Sequence, residues 1–163
     1  MAKPTGLSRV VLGPQEHHFD PATLENLTKS DFALTDAFDR MGVRLTGPDM
    51  ILKDALSIPS EPVLRGALQV SGEGVPTILL ADHQTSGGYP KIATILSSYV
   101  DRVTQLRAGD GLRFESVSPE DAIAAAREHH AASQRALDEL LRPNASLDER
   151  LHGENLISGV VRD

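Results

Sequence analysis

Ala67-Leu68-Gln69-Val70-Ser71-Gly72-Glu73-Gly74-Val75-Pro76-Thr77-Ile78-Leu79-Leu80 holds two short apolar runs separated by the glycine-rich hexapeptide Ser71 to Pro76. Short apolar runs bounded by glycine and proline read as strands, and this pair reads as a β-hairpin. Gly72-x-Gly74 has the look of a piece of a phosphate loop. Neither a full dinucleotide fingerprint nor a Gly-Lys-Ser/Thr ending accompanies it, so an ordinary hairpin turn is expected.

Toward the N-terminus the same period-two alternation recurs. Phe32 and Leu34, then Val43 and Leu45, alternate with polar residues, with Asp39-Arg40-Met41-Gly42 as the connection between two strands. Arg9-Val10-Val11-Leu12 reads as another strand, closed by Gly13-Pro14. Asp20-Pro21 supplies an N-cap and a proline at the first helical position for a short helix to about Lys29, with Leu24 and Leu27 on one face.

Toward the C-terminus, Ile92, Ile95, Leu96 and Tyr99 fit either strand or helix, and Val103 and Leu106 read as helical. A strand is expected near Leu112-Arg113-Phe114. Ser118-Pro119-Glu120-Asp121 starts a long helix running to about Leu141. Its apolar stripe, Ile123, Ala126, His130, Leu137, Leu140 and Leu141, predicts one packed side, and Pro143-Asn144 ends it. Leu156 to Val161 is apolar enough for a last strand or docked tail. The elements add up to a mainly β chain with flanking helices, and 163 residues fit one compact domain, 1–163, with a real core.

Composition narrows the function. The net charge of −7 repels phosphate backbones, and four Phe, two Tyr and no Trp supply few stacking platforms, so no nucleic-acid partner is expected. The absence of cysteine excludes a disulfide framework, a thiolate metal site and a cysteine nucleophile. Met1-Ala2-Lys3-Pro4 lacks the apolar core of a signal peptide, and no run approaches bilayer length, so a cytoplasmic protein without membrane contact is expected. His17-His18 and His129-His130 are adjacent pairs, expected to point apart on a helix or strand, and a zinc site needs more ligands, so no metal site is read from them.

The chemistry is expected in Asp82-His83-Gln84-Thr85-Ser86-Gly87-Gly88-Tyr89-Pro90, a polar loop directly after the second hairpin strand. It combines amide and hydroxyl donors with two glycines whose N–H groups lie open to a ligand, a set that can hold an oxyanion or carboxylate. The plain alternative is a tight turn needing glycine for positive φ, with Tyr89 and Pro90 as packing. Lys91 would stabilise developing negative charge or carry a proton, against the commoner case of a solvated lysine. Arg40 would offer its planar fork to an anion, or else pair with Asp39 on the surface.

An ordered set of motifs spans nearly the whole chain: Val10-Val11-Leu12-Gly13-Pro14-Gln15, Asp39-Arg40-Met41-Gly42-Val43-Arg44-Leu45, Ser60-Glu61-Pro62 and Gly66-Ala67-Leu68-Gln69-Val70. After these come Ile78-Leu79-Leu80-Ala81-Asp82-His83-Gln84-Thr85-Ser86-Gly87-Gly88-Tyr89-Pro90-Lys91-Ile92-Ala93, Gln105-Leu106-Arg107-Ala108-Gly109-Asp110 and Asn155-Leu156-Ile157-Ser158-Gly159-Val160-Val161. This set resembles the biotin-dependent carboxyltransferase family, whose members include the second subunit of allophanate hydrolase, urea amidolyase-related proteins and the C subunit of bacterial 5-oxoprolinase. Val43, Arg65 and His83 depart from its usual residues, and the Gln-Thr-x-Gly-Gly-Tyr-Pro signature is intact.

The resemblance implies a cyclophilin-like β-barrel flanked by helices. Family members are longer, with two such halves in tandem, and this chain matches the second. It implies a component of an ATP-dependent amidohydrolase that opens 5-oxoproline to glutamate, or of a urea-type carboxyltransferase, contributing half of an amide or lactam site. Its partners would be the N-terminal half of the subunit and a companion cyclophilin-like subunit, with ATP or biotin entering only in the full assembly. On matched positions, Gln84, Thr85 and the Gly87–Gly88 backbone would stabilise the amide oxygen, Tyr89 would orient it, Arg40 would hold an anionic group and Lys91 would support charge or proton transfer. The alternative is a non-catalytic interaction module that binds a companion subunit. Peptidyl-prolyl isomerisation follows from barrel likeness alone, and no cyclophilin-like active-site sequence supports it.

Overall fold

The computed structural model describes residues 4–13, 15–53 and 57–141. The chain divides into two compact units, one through Arg127 and one from Glu128 onward. The expected ends of the chain, the stop at Pro143-Asn144 and the apolar segment Leu156 to Val161, lie outside the described residues.

The first unit is built on β1 (Pro4–Leu12), β2 (Phe32–Phe38), β3 (Gly42–Thr46), β4 (Glu61–Pro62), β5 (Ala67–Val70), β6 (Pro76–Leu79), β7 (Ser86–Gly87), β8 (Lys91–Ile95) and β9 (Gly111–Ser116). Seven of them close a barrel in the order β1-β8-β5-β6-β3-β2-β9, while β4 and β7 form a separate two-stranded ladder. The barrel closes through a parallel pairing of β1 with β9; its other pairings are antiparallel. With three α-helices among the described residues, this is the mainly β class that the sequence predicts.

Alternation decides which side chains fill the barrel. Val43 and Leu45 of β3, Leu68 and Val70 of β5, and Ile78 of β6 are all buried in one core with Phe32, Leu34, Leu112 and Phe114. The rings of Phe32 and Phe114 meet at 5.4 Å between centroids in a tilted arrangement, the geometry favoured by the ring quadrupoles. The β5–β6 hairpin turns at Gly74, whose φ of +77° is costly for other residues, and Ser71 N–H donates to Val75 O and Gly74 N–H to Ser71 O.

The helices are α1 (Pro21–Lys29), α2 (Ser97–Val103) and α3 (Pro119–Leu141). Asp20 caps α1 by accepting the Thr23 N–H, as the Asp-Pro pair predicts. The ambiguous stretch after Lys91 resolves into strand β8 followed at once by α2. Ser118 caps α3 by accepting the Asp121 N–H.

α3 has its expected extent, but its expected packed side is a correction. None of its residues is buried, and Leu140 is 82% exposed. The 3.6-residue period fixes the helix and its two faces without specifying what covers the apolar one. Among the described residues no helix is long and apolar enough to cross a membrane.

Core contribution separates these classes of residue. Phe114→Ala should lower the unfolding free energy by about 3–5 kcal/mol in urea denaturation. Leu140→Ala should stay within about 0.5 kcal/mol. Equal effects would contradict this division between core and surface.

Candidate functional site

The outer face of the barrel carries the site. Because β3, β5 and β6 alternate, the register pairs Arg44 with Thr77 and Thr77 with Gln69, a polar row opposite the apolar row Val43, Ile78 and Leu68. On β8 the partner of Gln69 is Lys91, across a bulge. Neighbouring outward positions Ala67 and Leu79 join Val63 in a small buried apolar cluster. The β4–β7 ladder lies beside this cluster, since Val63 follows β4 and its N–H donates to Thr85 O, just before β7.

The loop Asp82 to Pro90 therefore lies over the sheet. A cavity of about 1210 Å³ opens beside it, and Gln69, Gln84, Tyr89, Thr77 and Arg44 are among its lining residues. Gln84 Nε2 donates to Gln69 Oε1 at 3.4 Å, and Gln69 Nε2 donates to Tyr89 O at 3.3 Å. His83 Nδ1 lies 2.6 Å from Gln84 O, so that nitrogen carries the proton and fixes the backbone beneath the Gln84 side chain. Each glutamine has a second side-chain N–H beyond these bonds, since a primary amide has two donors.

Gly87 and Gly88 do not have positive φ, so the tight-turn explanation for this pair fails. Gly87 is a glycine for space: a Cβ there would stand 2.7 Å from Gln69 Nε2 and 3.3 Å from Gln84 Nε2. The missing side chain is what lets the two amides lie against the loop. Gly88 gives its carbonyl to the Ile58 N–H at 2.7 Å.

The other expected residues are placed differently. Gln84 and Tyr89 line the cavity together, whereas Thr85, Gly87, Gly88, Lys91 and Arg40 are not among its lining. Thr85 is exposed on the loop. Lys91 is not a solvated lysine: its side chain is 9% exposed, with Nζ 3.6 Å from Glu61 Oε2 and without a hydrogen bond. Gln15 links the two, accepting the Lys91 N–H at 2.9 Å and donating to the Glu61 carboxylate.

Arg40 pairs with Asp82 rather than Asp39, through Nε and Nη2 at 2.5 and 3.1 Å. That hydrogen bond holds the Asp82 carboxyl below its ordinary range. Arg40 lies by a second, smaller cavity of about 580 Å³. Asp39 instead accepts the N–H groups of Met41 and Gly42 and shapes the β2–β3 turn.

Sequence reasoning missed Gln69, Arg44, Gln15 and Glu61. The signal for Gln69 was a lone amide inside an apolar run, Ala67 to Val70, whose four positions are all buried. Arg44 carried the mark of an outward position between Val43 and Leu45. Gln15 and Glu61 are brought to Lys91 by the fold, 76 and 30 residues away in sequence, and nothing local marks them.

In the turn Ser71 to Val75 the N–H groups of Ser71, Gly74 and Val75 are taken by hydrogen bonds within the turn. Among the described residues no group of three or more potential metal ligands occurs.

Comparison with known proteins adds a family. The profile of the carboxyltransferase domain, subdomain A and B, matches residues 2–116. The C subunit of 5-oxoprolinase from Escherichia coli K12 is 33% identical over 147 residues, covering 90% of this chain and 44% of that protein. Its namesake from Haemophilus influenzae is 38% identical over 101 residues, covering 62% of this chain and 33% of that protein. The chain thus spans less than half the length of the curated relatives it matches. The solved urea carboxylase of Kluyveromyces lactis aligns with a TM-score of 0.73 and 21% identity, covering 87% of this chain and 13% of that one, a likeness of fold.

If position 87 lacks a side chain for the sake of the amides, Gly87→Ala should displace the Gln69 side chain and break its bond to Gln84. The side-chain NH2 resonances of Gln69 and Gln84 should then move, with a stability loss of only about 1 kcal/mol. Unchanged resonances would show that the space above Gly87 is not what holds the amides.

Proposed function

The chain belongs to the carboxyltransferase domain family, subdomains A and B, and from that premise we propose that it supplies one half of an amide- or lactam-binding site in a multisubunit 5-oxoprolinase. The observation that carries this reading is the Gln84–Gln69–Tyr89 hydrogen-bonded chain on the wall of the large cavity. It is supported by the 33% and 38% identity to proteins named as the C subunit of 5-oxoprolinase.

A lactam is a poor electrophile because its nitrogen donates into the carbonyl. Attack on the carbonyl carbon moves charge onto oxygen, and fixed donors aimed at that oxygen stabilise the charge without reorganising. Gln84 and Gln69 are such donors, each tied by one N–H and left with another. Tyr89, a lining residue of the same cavity, would orient the ring. Thr85 and the Gly87–Gly88 backbone act in shaping the loop, and Lys91 acts from beneath it.

The rest of the site would come from the N-terminal half of the subunit and a companion subunit. In this reading ATP or biotin enters only in the full assembly. The roles given to this chain's residues require neither ATP nor biotin in the cavity.

The test is a reconstituted assembly assayed for ATP-dependent release of glutamate from 5-oxoproline. Gln84→Ala should lower kcat/KM roughly 100-fold or more, the loss of a preorganised oxyanion donor of about 3 kcal/mol. Unchanged turnover would remove Gln84 from the site and leave the chain as a non-catalytic interaction module.

A further inference from the structure

β3 carries Arg44 outward between two buried residues, Val43 and Leu45. Its register partner is Thr77, whose own partner on β5 is Gln69. Two strand spacings therefore separate Arg44 from Gln69, about 10 Å between their Cα atoms. Both residues line the large cavity.

Arg44 is an arginine without an ion pair that lines this cavity; Arg102, Arg107 and Arg127 of the same unit also have none among the described residues, and they are not among its lining residues. Arg9, Arg40, Arg65 and Arg113 each engage a carboxylate, of Glu115, Asp82, Asp101 and Asp31 respectively. Arg44 has no ion-pair partner among the described residues. Two acids line the same cavity. Asp39 has an oxygen occupied by two backbone N–H groups of its turn, and Glu73 is exposed in the β5–β6 turn.

A guanidinium fork matches a carboxylate with two parallel hydrogen bonds, and its charge does not depend on pH. We infer that Arg44 receives a carboxylate of the substrate while the glutamines face its amide, so that the cavity selects amides bearing an anionic group, such as 5-oxoproline, over neutral ones. The inference rests on the proposed placing of the amide at Gln84. It gives Arg44 the anion-holding part expected of Arg40, whose fork is filled by Asp82.

The test is NMR titration of the isotopically labelled full chain with 5-oxoproline and with 2-pyrrolidinone, the same lactam without the carboxylate. 5-Oxoproline should shift the Arg44 Nε–H and the Gln84 NH2, and bind roughly 10- to 100-fold more tightly than 2-pyrrolidinone, as expected for a charged hydrogen-bonded pair. Arg44→Gln should erase the difference, Arg44→Lys should keep part of it, and Glu73→Gln should tighten 5-oxoproline by removing a like charge. Equal binding of both lactams with shifts at Gln84 would overturn the role of Arg44 while leaving the amide placement standing. Weaker 5-oxoproline binding in Glu73→Gln would also count against it. No shift at Gln84 or Tyr89 with either lactam would remove the amide placement, and the inference with it.

Discussion

The cross-strand register of β3, β6, β5 and β8 is the constraint on which the rest of this structure depends. Strand side chains alternate strictly, so a slip of one residue would exchange the two faces. In the observed register Val43, Ile78, Leu68 and Ala93 line up inward, while Arg44, Thr77, Gln69 and Lys91 line up outward. The apolar row fills the core and holds the register; Arg44, Thr77 and Gln69 of the polar row are thereby displayed beside a cavity. Packing energy and site geometry are consequences of one alignment.

A second tie fixes the end of the polar loop. Gln15 binds the backbone of Lys91 and the carboxylate of Glu61, and Glu61 is the ladder partner of Gly87. The segment after β1, the β4–β7 ladder and the start of β8 are thus held to one another. Gly13 lets them approach: a Cβ there would stand 2.4 Å from Lys91 O. The ammonium of Lys91, with a half-exposed carboxylate 3.6 Å away as its ion-pair partner, is costly to bury, and such groups persist where they organise neighbours or await a ligand.

Local rules carried the sequence reading far. The Asp20-Pro21 and Ser118-Pro119 caps, the Ser71–Val75 turn and the period-two runs all depend on neighbours within a few residues, and each stands where its residues predict. The loop Asp82 to Pro90 was legible as polar and glycine-rich. Its glycines were legible as glycines but not for their reason, because the atoms that exclude a Cβ at Gly87 belong to Gln69 on another strand. Arg40 and Lys91 show the same limit: Asp82 lies 42 residues from Arg40, and the groups gathered around Lys91 come from Gln15 and Glu61, far from it in sequence. The α3 stripe marks an apolar face whose cover no periodicity identifies.

The central claim is that the Gln84–Gln69 amides face the carbonyl of a bound lactam. A crystal structure of the reconstituted assembly with a non-hydrolysable lactam bound tests it most directly. The account predicts the lactam oxygen about 3 Å from Gln84 Nε2, with the Gln84–Gln69 bond retained. A lactam seated elsewhere, with the two glutamines bonded only to each other and to solvent, would contradict it.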